Sequence, residues 1–189
     1  MQLNIYLISH PIIKILSNSI IYNNESINNK NEKKYLSLFL IYEIMRKRLT
    51  IKKIYIKQIF DLKTIYKLEP SQQNYIITNL SKTYFVIGEI NTIIPNFNII
   101  NIDYFDSKEI ILKKFDTTIK NKTKVTKIII FEILLTSINI LNLIETLINN
   151  MRIKIEELDI ACIACNKKIL NEISYKYPKL NIYTAKIII

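Results

Sequence analysis

The sequence predicts a single α/β domain, residues 1–189, in which helices cover both faces of a doubly wound, mostly parallel sheet behind a short N-terminal helical or extended segment. Three observations lead there. Residues 127–131 form the run Lys127-Ile128-Ile129-Ile130-Phe131, of the β-branched kind that fills a strand buried on both faces. After it, strand and helix patterns alternate: helical around 141–148, extended over 158–165, helical over 167–175, extended over 180–184. Finally, 189 residues at 49% hydrophobic content support one full core and are too few for two comfortable domains.

Taken in order, residues 3–8 open as an apolar extended stretch that Ser9-His10-Pro11 interrupts, and Ile12, Ile13, Ile15 and Leu16 follow as a short apolar cluster. Residues 22–34 are rich in Asn, Lys, Glu and Ser and read as an exposed linker or the approach to a helix. Between 35 and 48, Leu36, Phe39, Leu40, Ile44 and Met45 recur at helical spacing, and Arg46-Lys47-Arg48 supplies the positive end that the helix dipole favours. Loose alternation over 49–66, as in Ile54-Tyr55-Ile56-Lys57, predicts short strands. Residues 74–79 predict a further strand, 83–94 a helix stopped by Pro95, and 97–104 a strand ending in a charged turn at 106–109. Residues 113–127 are rich in Lys and Thr and read as a solvated hairpin or loop. Ser137 or Asn139 is placed to cap the helix carrying Leu141, Ile144, Leu147 and Ile148 on one side and Asn142, Glu145 and Asn149 on the other.

Composition removes most catalytic possibilities. A loop that wraps phosphate needs several backbone N–H groups converging at positive φ or at close range, which is glycine's conformational territory, and the chain has one glycine, Gly88. Neither Walker-type nor dinucleotide-type spacing can be written with it. A net charge of +11 favours an acidic partner: nucleic acid, an anionic membrane face, or an acidic protein assembly. Arginine stands only at 46, 48 and 152, which disfavours base readout by guanidinium forks. Two cysteines, Cys162 and Cys165, build no disulfide framework and suit a reducing compartment. The apolar start lacks a basic region and a small-residue cleavage site, so no secretory signal is expected. The apolar window 128–148 carries Glu132, Asn139, Asn142 and Glu145, costly in hydrocarbon, so a soluble or peripheral protein is expected. The bias toward Ile, Asn, Lys and Tyr is what AU-rich codons produce and points to an AT-rich genome such as an organelle's.

Several strings, in order, resemble a uracil phosphoribosyltransferase. His10-Pro11-Ile12-Ile13-Lys14 is similar to that family's opening His-Pro-Leu-Val-Lys, and Leu40-Ile41-Tyr42-Glu43 to its Leu-Thr-Tyr-Glu helix. Tyr177-Pro178-Lys179-Leu180-Asn181-Ile182-Tyr183-Thr184-Ala185 is similar to the His-Pro-Asp-Val-Glu-Leu-Tyr-Thr-Ala end of its last core strand. The resemblance runs from about residue 10 onward and implies the type I phosphoribosyltransferase fold. It also implies where substrate contacts would stand. The family's Asp-Pro-Met-Leu-Ala-Thr-Gly-Gly-Ser motif falls on Phe131, Glu132, Ile133, Leu134, Leu135, Thr136, Ser137, Ile138 and Asn139, where only the Leu and the Thr are kept. Its ribose-contacting Asp is Phe131, and its two glycines are Ser137 and Ile138. Its Leu-Arg-Ala-Gly loop falls on Leu80, Ser81, Lys82 and Thr83, so the diphosphate arginine is absent, and Lys82 offers a charge without a bidentate fork. The family's glycine-rich uracil-recognition segment has no counterpart after residue 189.

These losses lead to the expectation of no catalytic residue, no cofactor and no metal. Cys162-Ile163-Ala164-Cys165 is a lone C-x-x-C without partner ligands, read as two small buried thiols that point to opposite faces if the strand runs through. His10 reads as a turn residue and Glu132 as a solvent-facing carboxylate at a strand end. Lys113, Lys114, Lys120, Lys122, Lys124 and Lys127 are the expected grip on an acidic partner. The expected role is a structural or linker subunit of a larger assembly, specifically a plastid photosynthetic complex (phycobilisome or photosystem) on the stromal side. Two alternatives stay open: a nucleic-acid or ribosome-associated basic protein, and residual conversion of uracil and phosphoribosyl diphosphate to UMP. Active relatives pair, so a homodimer is also open.

Overall fold

The computed structural model describes residues 3–22, 27–93, 97–103, 106–118 and 125–188. In chain order the elements are β1 (Asn4–Leu7), α1 (Pro11–Tyr22), α2 (Ile27–Arg48), β2 (Ile51–Lys57), β3 (Leu62–Leu68), β4 (Gln72–Thr78), α3 (Leu80–Ile93), β5 (Phe97–Asn101), α4 (Lys108–Thr118), β6 (Val125–Leu135), α5 (Ile140–Glu145), β7 (Leu158–Asn166), α6 (Lys167–Lys176) and β8 (Asn181–Ile188). A π-helical turn, Thr146–Asn150, continues α5. Six strands pair in the order β1-β8-β7-β6-β4-β5, every neighbour parallel, while β2 and β3 form a separate antiparallel hairpin. The doubly wound α/β reading is therefore observed.

Parallel strands need crossovers, and the crossovers place helices on both faces. On one face Ile76, Ile129, Phe131, Ala161 and Tyr183 pack with Ile13 of α1, Leu36, Leu40, Ile41 and Ile44 of α2, and Val86 and Ile90 of α3. On the other, Ile77, Ile128, Ile130, Ile160 and Ile182 meet Ile111 and Phe115 of α4, Ile140 and Ile144 of α5, and Ile169 and Ile173 of α6. Full burial of such aliphatic side chains contributes about 1.5–3 kcal/mol each, so this two-sided core is the main stabilising term.

Several expectations change. Residues 11–22 are a helix rather than an apolar cluster; Ile13 is buried while Ile12 and Ile15 face outward. Of the two readings of residues 22–34, the helical one holds from Ile27, where α2 begins, and Lys34 reaches Glu89 of α3 at 2.6 Å while Lys30 reaches the Tyr84 hydroxyl. Of the charged turn at 106–109, Lys108 and Glu109 belong instead to α4, which also takes in residues 113–118 of the segment 113–127 and which Ile111 and Phe115 dock one turn apart into the core; residues 119–124 lie outside the described residues. Ser107 starts it, its Oγ accepting from the Ile110 N–H at 3.4 Å. Lys127 lies inside strand β6, which begins two residues before the 127–131 run, at Val125.

Candidate functional site

In an open parallel sheet the ligand crevice lies outside the carboxyl ends of the strands, where the winding reverses direction. β5 lies beyond β4 on one side and β7 and β8 beyond β6 on the other, so the reversal falls between β4 and β6. The segments leaving these strands are 79–82, which opens α3, and 136–139, which opens α5. The fold thus brings Ser81 and Lys82 to the same end of the sheet as Thr136, Ser137, Ile138 and Asn139.

Helix amino ends bind anions through backbone N–H groups that lack intrahelical partners. At α3 the chain uses these groups itself. The Leu80 N–H donates to Asn101 Oδ1 at 3.0 Å and the Ser81 N–H to Asn79 Oδ1 at 3.1 Å. The Lys82 and Thr83 N–H groups both donate to the Asn79 carbonyl at 3.1 Å. At α5 the Asn139 N–H donates to Ser137 Oγ at 3.3 Å, and those of Ile140, Leu141 and Asn142 turn back to the carbonyls of Ser137, Ile138 and Asn139. Ser137 rather than Asn139 supplies the side-chain cap. Neither loop contains a positive φ; among the described residues the non-glycine residue with one is Arg152, at 57°.

The floor between the two strands is closed as well. Thr78 Oγ1 donates to the Phe131 carbonyl at 2.8 Å and shares a hydrogen bond with Thr83 Oγ1 at 3.0 Å, all of it buried. Beside the crevice, a cavity of about 210 Å³ is lined by Asp103, Asp106, Ser107, Lys108, Asn139 and Asn142, among others. Lys108 of this wall faces Glu145 at 4.0 Å, and Lys114 reaches Asp106 at 2.6 Å. That hydrogen bond, followed by one from the Asp103 backbone, holds the Asp106 carboxyl below the usual range. The larger hollow, about 390 Å³, lies at the opposite end of the sheet, at the foot of the hairpin, among Thr50, Glu69, Gln72, Gln73, Asn74 and Asn98.

No family model matches the chain. A uracil phosphoribosyltransferase homolog of Porphyra purpurea is 30% identical over 192 aligned positions, covering 99% of this chain and 89% of the relative. The homolog of Pyropia yezoensis is 29% identical over the same shares. The chain belongs to the uracil phosphoribosyltransferase family. Among solved structures, the AQ2163 protein from Aquifex aeolicus superposes with a TM-score of 0.67 at 16% identity, over 97% of this chain and 86% of that one, a likeness of fold.

Within this family member, the positions marked in sequence separate into two groups. Phe131 is wholly buried in the core under α2 and α3, so its ring faces away from the crevice. Glu132 is not a strand-end carboxylate facing solvent, because β6 runs on to Leu135 and Glu132 is only 5% exposed, opposite Cys162. Thr136 and Ile138, 59% exposed, stand at the crevice mouth with Ser81 and Lys82. The lysine set is dispersed. Lys113 is exposed on α4, Lys114 is paired with Asp106, Lys127 is half-buried on β6, and Lys120, Lys122 and Lys124 lie outside the described residues.

His10 is a cap: its Nδ1 accepts from the Ile12 N–H at 3.3 Å at the start of α1. The two cysteines correct the alternation argument. Both are free and buried in the same apolar cluster rather than on opposite faces. The hydrogen bond that Cys162 shares with Cys165, then burial, raises the Cys162 thiol, while the same bond lowers that of Cys165. Among the described residues no His, Cys, Asp or Glu cluster fits a metal ion, and no helix is long and apolar enough to cross a membrane.

What sequence reasoning missed is apolar exposure away from the crevice. The hairpin tip carries Ile59 and Phe60, 91% and 99% exposed, and a groove of about 350 Å³ between α2 and α3 is lined by Tyr35, Phe39, Tyr42 and Ile93. The signal for the tip was present: two alternating strands joined through Ile59-Phe60 with no helical pattern nearby to cover them.

Proposed function

We propose that this chain is a non-catalytic member of the family, retained as a structural or linker subunit of a larger assembly. One observation carries the reading: at both loops of the switch point, first-turn N–H groups are bonded to Asn79, Asn101, Ser137 and neighbouring carbonyls. A 5′-phosphate or diphosphate would have to displace these bonds, at about 0.5–1.5 kcal/mol each. It would do so without glycines to let the backbone approach and with no arginine in either loop. Exposed apolar side chains of the groove between α2 and α3 support a role in assembly. A plastid setting, with a photosynthetic complex as host, is compatible with red algal relatives and with the bias toward Ile, Asn, Lys and Tyr.

Two experiments test the reading. Incubation with uracil and phosphoribosyl diphosphate is expected to give no UMP above a blank; turnover would return the protein to catalysis. Native purification is expected to bring it down within a larger complex, and recovery solely as free dimers would overturn the subunit role.

A further inference from the structure

We infer that the β2–β3 hairpin is a binding arm for single-stranded polynucleotide. This goes beyond the subunit reading, which assigns the hairpin no ligand. Residues 51–68 hold Lys52, Lys53, Lys57, Lys63 and Lys67 against one acid, Asp61, so the arm is more basic for its length than the chain as a whole. The hairpin pairs with no strand of the main sheet, and its residues are exposed except for Ile54, Ile65 and Leu68, which are half-buried.

The register sorts the side chains. On one face stand Lys53, Tyr55 and Lys57 of β2, with Tyr66 opposite Lys53 and Thr64 opposite Tyr55. Tyr55 and Tyr66 are both 61% exposed and sit on the diagonal of adjacent pairs, the separation of about 7–8 Å that lets long side chains act together. The Lys53 Nζ lies 5.5 Å from the Tyr66 ring centroid. Two ring faces flanked by two ammonium groups, with Phe60 at the tip, combine stacking platforms with backbone charge, the means by which single strands are held without sequence readout. The absence of arginine from the arm fits stacking rather than base-edge recognition.

On the other face Lys52 and Lys67 are directly opposed. Like charges so placed destabilise a free hairpin, and a polyanion reverses the sign of that term. A second copy of the chain is a poor occupant, since each copy carries +11 and docking arm to body brings like charge together.

The test is fluorescence anisotropy of the full chain with labelled oligouridylate and oligothymidylate across a salt series. Binding that weakens steeply with salt is expected, and the tighter of the two probes identifies RNA or DNA as the source. Tyr55→Ala with Tyr66→Ala should cost about tenfold or more in affinity. Lys53→Gln with Lys57→Gln should reduce the logarithmic salt slope by about 0.7 per lysine. Lys167→Gln with Lys168→Gln on exposed α6 should cost distinctly less affinity than the arm lysines, and melting curves should confirm that every variant folds. The inference is overturned if neither probe binds at low salt, if the tyrosine variant binds like wild type, or if the α6 pair loses as much as the arm pair. It is equally overturned if poly-glutamate displaces the probe as well as oligouridylate does, which assigns the arm to an acidic protein, or if arm substitutions change sedimentation and not affinity, which assigns it to self-association.

Discussion

Strands β6 and β7 and the hairpin β2–β3 draw on a similar stock of isoleucines, and they end in opposite surroundings. In β7 every residue but Asn166 is buried, with helices above and below. In β2 every residue but Ile54 is exposed. The difference lies in the connections. Parallel strands are joined by helices that must come back across the sheet and cover it, whereas a two-stranded antiparallel hairpin closes on itself and brings no cover of its own. The same β-branched residues are core in one place and available surface in the other, and substitutions should separate the two regions by the size of their effect on stability.

The largest effect is expected where the sheet buries charge. Arg48 at the end of α2 pairs with Asp159, which is 1% exposed, and donates to the Glu156 carbonyl, while Asn181 Nδ2 donates to the same carboxylate at 3.0 Å. Arg48→Leu leaves that carboxylate buried without its cation and should cost about 3–5 kcal/mol in urea unfolding. Adding Asp159→Leu should recover much of the loss, and no recovery would show that the pair is more than an isolated charge balance. Phe131→Ala, which opens a cavity beneath α2 and α3, should cost about 3–5 kcal/mol by the same measurement. A Phe131→Ala protein as stable as wild type would remove the claim that this position now serves the core.

Asn79→Ala strips the cap from α3 and should cost about 1 kcal/mol. Acid sensitivity comes next. Because the Asp106 carboxyl titrates below its ordinary range, its pairing with Lys114 adds stability that is complete above that range and lost as pH falls through the lowered value. The melting-temperature gap between wild type and Lys114→Gln should therefore be full at neutral pH and close as acid is added; a gap constant with pH would exclude the pair as its origin. Smallest of all, Phe60→Ala at the hairpin tip should move stability by no more than about 0.5 kcal/mol despite removing a large aromatic ring. A loss comparable to Phe131→Ala would mean that the tip is packed, against this chain or a second copy.

The sheet was legible because its strands carry a local pattern: the isoleucine run of β6, the apolar stretch of β7 and the helical spacing between them each show in a short window. Helix α4 was not, because two anchors, Ile111 and Phe115, are outnumbered by Lys108, Lys113, Lys114 and Asp116, and only the neighbouring core shows that two are enough. Glu132 was misplaced for a related reason. A carboxylate within an apolar run suggests a strand end, but β6 continues past it, with Leu134 and Leu135 still paired to Ala164 and Cys165 of β7.

By itself the sequence determined the parallel α/β class, the family strings, the excess of positive charge and the scarcity of glycine, since each is a matter of pattern or count. The tertiary structure alone decided what became of the phosphate loops. That Asn101, twenty-one residues after Leu80, caps α3, that Thr78 closes onto Phe131, and that both cysteines share one face depend on strands distant in sequence lying side by side. The same holds for the hairpin. Its lysines and tyrosines were visible as letters, but their exposure depends on no helix crossing above them, which is a property of how the rest of the chain packs.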